Sequence, residues 1–246
     1  MKTTSKFGIV AIFMVLIAFS IAPVMAGTNK QTLVDINSGN WVTQYISGQQ
    51  SGYHNTESIT NDNTGNIVNQ YVEATQTGGS KIWFFVLPGD NSQSIRNAND
   101  GSVVSQTVIA SQGGISDDQI INNLNNGYGV NQYITVGQDG LNNGQGIQNE
   151  NLGGNFVGQS ITAGQSGINN HQQAIDSNYN GNGVNQYITV GQGGVENTQT
   201  VGNINYGSSV NQGITAYQNG FDNTQTVQNV NNGGYGVTQT IYAVQG

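Results

Sequence analysis

The sequence predicts an all-β fold: a β-solenoid of stacked strand-turn-strand coils, 26–27 residues per coil, whose strands form two facing parallel sheets. Three observations predict it. First, a glutamine recurs as Gln44, Gln70, Gln106, Gln132, Gln159, Gln186, Gln212 and Gln239, at intervals of 26, 36, 26, 27, 27, 26 and 27. Second, hydrophobicity around each copy alternates with period two, which is the strand signature. Third, columns aligned on the glutamine repeat one residue type. Two residues before it stand Val42, Val68, Val104, Val130, Val157, Val184, Val210 and Val237, and two residues after it only Ile or Val.

The elements follow in chain order. Residues 1–26 read as a secretory signal peptide: Lys2 and Lys6 precede an apolar run from Phe7 to about Ala22, and Val24-Met25-Ala26 supplies the cleavage site. The run is short for a membrane span, so no transmembrane segment is expected after its removal. Residues 27–246 then form one solenoid domain with Lys30, Lys81 and Arg96 against thirteen acidic residues, a net charge near −10 (3 − 13). That balance excludes a basic groove for nucleic acid. The chain has no Cys, hence neither a disulfide framework nor a thiolate metal site.

In the repeat of Gln132, residues Val130, Gln132, Ile134, Val136, Gln138 and Gly140 share the inward face, while Asn131, Tyr133, Thr135, Gly137 and Asp139 point outward. After Leu141 and Asn142 a second, shorter strand carries Asn143, Gln145, Ile147 and Asn149 inward. The same word recurs with Gln159, Gln165 and Asn170, with Gln186, Gln192, Asn197 and Gln199, and with Gln212, Gln218, Asn223 and Gln225; Gln44 and Gln50 open the series. Stacked Gln and Asn columns can satisfy one another, each amide donating to one neighbouring copy and accepting from the other. A strand slipped by one residue would expose the Val and Ile columns, so the repeat also specifies its own register.

The single interval of 36 contains an insertion, residues 81–90 of the Gln70 repeat, after which Asn91, Gln93, Ile95 and Asn97 resume the pattern. It is the one dense aromatic segment of the mature chain. Trp83, Phe84 and Phe85 are candidates for a lateral contact, against a plainer reading as a hairpin folded onto its own coil with Pro88-Gly89 as the turn.

Both ends are half-coils. Projecting the phase back from Gln44 puts Asn29, Gln31 and Leu33 on the Asn, Gln and Ile columns, and the chain closes with Gln239, Ile241, Ala243 and Gln245, the first strand of a coil. One copy's last half-coil and the next copy's first would make a complete coil, so these residues are the candidate polymerisation ends. An open contact of this kind generates a filament. Seven full coils and two halves give eight rungs, a rise of roughly 38 Å per copy at about 4.8 Å per rung.

The spacing Gln-x5-Gln-x-Gly-x2-Asn-x-Gln-x3-Asn, as from Gln186 to Asn203, resembles the curlin repeat of curli amyloid subunits, whose usual pattern is Ser-x5-Gln-x-Gly-x2-Asn-x-Ala-x3-Gln. The central Gln-x-Gly-x2-Asn matches at Gln50, Gly52 and Asn55, at Gln138, Gly140 and Asn143, and at Gln165, Gly167 and Asn170. Asp117 replaces the Asn in one copy, and the coils run about four residues longer, in Asn/Gly-rich turns such as that from Asn125 to Gly129. The resemblance implies a curlin-like solenoid that assembles with itself into a functional amyloid fibril.

The resulting expectation is a secreted structural protein whose partner is itself, with a nucleator or cell-surface anchor as a further candidate partner. The fibre would serve biofilm matrix, adhesion or a sheath; the alternative is a monomeric solenoid adhesin at the cell surface. Thr135, Thr162, Thr189 and Thr215 form an outward ladder flanked by Tyr133 and Tyr187, which strand propensity explains. No enzyme and no cofactor are expected. His54 and His171 lie in different repeats, and no acidic residue recurs at a fixed distance from either, so neither a triad nor a metal cluster can be assembled.

Overall fold

The computed structural model describes residues 15–21, 28–39, 41–52, 54–78, 80–82, 85–87, 89–233 and 235–246. In chain order the strands are β1 (Val15–Ile21), β2 (Thr28–Asn37), β3 (Val42–Gly52), β4 (His54–Asn63), β5 (Val68–Gly78), β6 (Ser80–Ile82), β7 (Phe85–Leu87), β8 (Asp90–Asn99), β9 (Val104–Ile115) and β10 (Asp118–Asn125). They continue as β11 (Val130–Leu141), β12 (Gly144–Asn151), β13 (Gly154–Ile168), β14 (His171–Asn178), β15 (Gly181–Val195), β16 (Thr198–Asn205), β17 (Ser208–Phe221), β18 (Thr224–Asn231) and β19 (Thr238–Gln245). Helix is absent among the described residues.

The chain is a β-solenoid. Odd-numbered coil strands stack as β1-β3-β5-β9-β11-β13-β15-β17-β19, and the facing sheet runs β18-β16-β14-β12-β10-β8-β4-β2. All neighbours in both sheets are parallel, and each anchor glutamine lies on its homologue, Gln132 between Gln106 and Gln159 for example. Parallel pairing with short turns is possible because successive strands belong to opposite sheets, so each coil advances one rung before returning. Coils of 26 and 27 residues keep one register because the odd residue falls in a turn. Asn125 precedes Gln132 by seven positions, whereas Asn151 and Asn178 precede Gln159 and Gln186 by eight.

Inward residues alternate with outward ones, as in β11, where Val130, Gln132, Ile134, Val136 and Gln138 are buried; β8 and β14 depart from this at their last residues, where Ala98 and Ser177 are buried as well. Two apolar stripes run along the axis. One joins the Ile and Ala columns of the two sheets, and the other is the valine column from Val42 to Val210. Between them the core is amide.

The insertion is an antiparallel hairpin of β6 and β7, pairing Ser80 with Leu87 and Ile82 with Phe85. Its reversal therefore falls between Ile82 and Phe85, which corrects the expectation of a turn at Pro88-Gly89. The cross-strand pairs carry the chain out as far as Ile82 and back from Phe85, so the bend is over before the proline is reached. Trp83 and Phe84 lie outside the described residues; Phe85 opens β7. Of the expected signal peptide, Val15–Ile21 forms β1 and pairs in parallel with Thr43–Gln49.

Candidate functional site at the ladders and the two ends

Three glutamine columns form continuous ladders of one polarity. In the anchor column each Nε2 donates to the Oε1 of the preceding coil, from Gln70 to Gln44 (3.0 Å) through Gln132 to Gln106 (3.0 Å) and Gln186 to Gln159 (3.2 Å) up to Gln239 to Gln212 (2.9 Å). The second column repeats this from Gln76 to Gln50 (2.7 Å) to Gln218 to Gln192 (3.0 Å), including Gln138, Gln165 and Gln192. Its amides also cross to the facing sheet, as Gln165 Nε2 does to the His171 carbonyl at 3.3 Å. The third column runs from Gln225 to Gln199 (2.7 Å), through Gln172, Gln145 and Gln119 to Gln93, and ends on Glu57.

The Asn column forms the expected ladder at the head, where Asn29 donates to Asn55 (3.1 Å) and Asn55 to Asn91 (2.8 Å), and works differently from Asp117 onward. Oδ1 of Asn143, Asn170, Asn197 and Asn223 accepts the backbone N–H of Asp117, Asn143, Asn170 and Asn197, at 2.9–3.0 Å. The reason is the corner. The residue before each stands at positive φ, as in Asn142 (55°) and Asn169 (55°), which turns the next N–H along the axis and out of the ladder of either sheet. A side-chain oxygen from the coil above meets it.

A further amide ladder, not anticipated, runs along the opposite corner. Asn99 donates to Asn125 (3.1 Å), Asn125 to Asn151 (3.0 Å), Asn151 to Asn178 (2.7 Å), Asn178 to Asn205 (2.7 Å) and Asn205 to Asn231 (2.8 Å). Its polarity opposes that of the glutamines. The signal was available: an unbroken Asn stands 19 residues after the anchors Gln106, Gln132, Gln159, Gln186 and Gln212.

The glycine of the motif is a packing requirement. At Gly167 (φ 131°) an added Cβ would lie 1.6 Å from the carbonyl oxygen of Gly140 one coil below, and Gly194 and Gly220 repeat the approach at 1.7 Å. Only hydrogen fits there.

Carboxylates replace amides at three inward positions away from the ends. Glu57, Asp117 and Asp176 are at most 1% exposed. Burial pushes Glu57 up to about 7 against the opposing hydrogen bond from Gln93, and Asp117 up to about 6 against those from Asn91, with Asp90 and Asp118 adding to the rise. Asp176 is raised well above the ordinary carboxylate range by burial.

At the ends, the projected half-coils lie in register. Asn29, Gln31 and Leu33 pair with Asn55, Glu57 and Ile59, while Gln239, Ile241 and Gln245 pair with Gln212, Ile214 and Gln218. Every residue of β19 is exposed, Ile241 by 47%. Gln245 donates to the Asn223 carbonyl rather than to Gln218. On the outer face Thr135, Thr162, Thr189 and Thr215 stack as adjacent partners. His54 Nδ1 lies 3.6 Å from Asp90, and His171 belongs to a coil well removed from it. No group of three metal-ligating side chains occurs among the described residues.

Comparison with protein-family models, with curated proteins and with solved structures gave no match to this chain.

Proposed function

We propose that the chain is an exported structural protein whose copies stack head to tail into an extracellular, amyloid-like fibre. The observation that carries this reading is the polarity of the glutamine ladders between two unlike ends. At the tail, β19 repeats the inward residues of every other rung but is bare, and Gln239 offers its Oε1 to no following glutamine. At the head, Gln44 accepts from Gln70 and has no preceding glutamine to donate to.

Laying the β3 of a second copy on β19, and its β2 on β18, continues the columns: Gln44 over Gln239, Ile46 over Ile241, Gln50 over Gln245, Gln31 over Gln225 and Leu33 over Val227. Donors then meet acceptors across the joint. Reversing one copy would set like groups together, so growth is head to tail and does not close. Each addition pairs a backbone edge and extends the dry Ile column, the physics that holds stacked cross-β assemblies together. The curlin resemblance points the same way.

The edge of β3 already takes a parallel strand, because β1 pairs with Thr43–Gln49 in the place that the β19 of a second copy would fill. Removal of residues 1–26 on export vacates it. A monomeric surface adhesin is the second reading, favoured by the same strand: while β1 stays on β3, the head is covered. A nucleator or surface anchor would act by offering the first copy a matching edge.

Ile241→Lys tests the reading, since it places a charge in the apolar column at the tail. Electron microscopy should find the variant unable to elongate, while circular dichroism retains the β-signal of the folded chain. Filaments growing at the normal rate from the variant would contradict end stacking.

A further inference from the structure

The glutamine ladder that ends at Glu57 has a chemical requirement that a carboxylate cannot meet. Each rung accepts at Oε1 from the coil after it and donates from Nε2 to the coil before it. Glu57 fulfils the first role, accepting from Gln93 Nε2 at 2.9 Å through Oε2. Its other oxygen, Oε1, is buried without a hydrogen-bond partner, in the position from which every other rung donates toward the preceding coil. An ionised carboxyl has no proton to give; a carboxylic acid does. The coil is also shaped around this group. A Cβ on Gly48, the one glycine in a column otherwise of Ala and Val, would lie 1.8 Å from Glu57 Oε1.

Asp117 is a second buried carboxyl, in a different amide column. Its Oδ1 accepts the Asn91 backbone N–H at 2.8 Å, as the amide oxygens above it do for their neighbours. Its Oδ2 is buried and unpartnered, as is Nδ2 of Asn143 and Asn170 in the next two coils, while Asn197 and Asn223 donate from that atom to the carbonyls of Gly167 and Gly194. Asp176 lies fully buried between Asn149 and Asn203 in a third column.

We propose that Glu57, Asp117 and Asp176 are protonated in the folded coil, Glu57 standing in for an amide donor and the other two burying carboxyl oxygens that no donor meets, so that the solenoid takes up protons as it folds and loosens as the pH rises. No neighbouring charge offsets this. Around Glu57, the strand β3 carries no charged residue, β2 carries Lys30 and Asp35, β5 carries Glu73, and β8 carries Asp90 and Arg96. Of these only Asp35 shares the inner face, and it too is acidic and raised by burial. Asp117 is flanked by Asp90 and Asp118, which oppose its ionisation. For Asp176, the strands β13, β15 and β16 are uncharged, His171 on its own strand points outward, and Glu150 of β12 is on the outer face.

The sign follows from the direction of the shifts. The unfolded chain releases the Glu57 proton near 4.5 and the folded coil holds it to about 7. The contribution is therefore complete below the lower value and is lost as the pH rises to the upper one. Within that window the folding constant falls about tenfold per pH unit for each such group. Asp117 acts over a window from 3.8 to about 6.

Denaturant titrations of the purified full chain between about pH 4 and about pH 8 test this directly. The midpoint should fall with rising pH. Glu57→Gln, Asp117→Asn and Asp176→Asn, which install the donor permanently, should raise the midpoint at the alkaline end, leave it unchanged at the acid end and together flatten the slope. A flat profile in the wild-type chain, or amide variants less stable at the alkaline end, would overturn the proposal. If the variants fail to fold, infrared spectroscopy of the wild-type chain near pH 6 decides: the carbonyl stretch of a protonated carboxyl supports it, and carboxylate bands alone overturn it. The infrared measurement does not depend on whether the chain polymerises.

Discussion

At the scale of single residues, this solenoid is held by groups that ordinary cores avoid. Unpaired, a buried amide costs about 1–3 kcal/mol; here the three Gln columns and the corner ladder of Asn125 are paired along the axis and become specifiers of register, whereas Asn97, Asn123 and Asn149 are buried with neither amide atom hydrogen-bonded. The glycines divide sharply by position. Gly167→Ala drives a methyl into the Gly140 carbonyl at a φ of 131°, and should destabilise the chain by about 3 kcal/mol or more. Gly164→Ala, three residues earlier, meets nothing within 4 Å and should change stability by less than about 1 kcal/mol. Urea midpoints of the two variants provide the comparison. The ladders of Gln132 and Gln138 were legible in the sequence, because period and phase alone place like on like. The role of Asn143 was not, because it depends on the positive φ of Asn142, and no residue type demands that conformation. Ile67 and Val103 take the same left-handed conformation at the other corner, where β-branched residues are ordinarily strand signals.

At the scale of elements, the coil is defined by strand length and corner, and the sequence supplied both where residues alternate. The parallel pairing, the eight coil strands of the second sheet and the two half-coils all follow from the phase of one glutamine. The hairpin was the weak point. Pro88-Gly89 is a turn dipeptide, but cross-strand pairing of Ser80 with Leu87 puts the bend earlier, and pairing between short strands leaves no periodic trace in sequence. The solenoid register ignores the hairpin: β4 pairs with β8, and β5 with β9, as if it were absent. Deleting residues 81–90 joins Gly78-Gly79-Ser80 to Asn91 and restores the Gly-x-x-Asn spacing of Gly140 to Asn143. The shortened chain should keep its β-signal and unfold within about 1 kcal/mol of the parent, by denaturant titration. Collapse of the β-signal would make the hairpin an integral part of its coil.

At the scale of the whole molecule, two facing sheets with like columns have no intrinsic length; only their ends stop them. At the tail β19 bares the inward residues of a rung, and at the head β1 occupies β3. What meets those ends decides whether copies stack, and the most direct measurement is electron microscopy with image averaging on the purified chain after residues 1–26 are removed. Head-to-tail stacking predicts unbranched filaments with an axial repeat of roughly 38 Å, divided into rungs of about 4.8 Å. A β-rich chain that stays monomeric at micromolar concentration, or filaments whose repeat does not correspond to eight rungs, would contradict it.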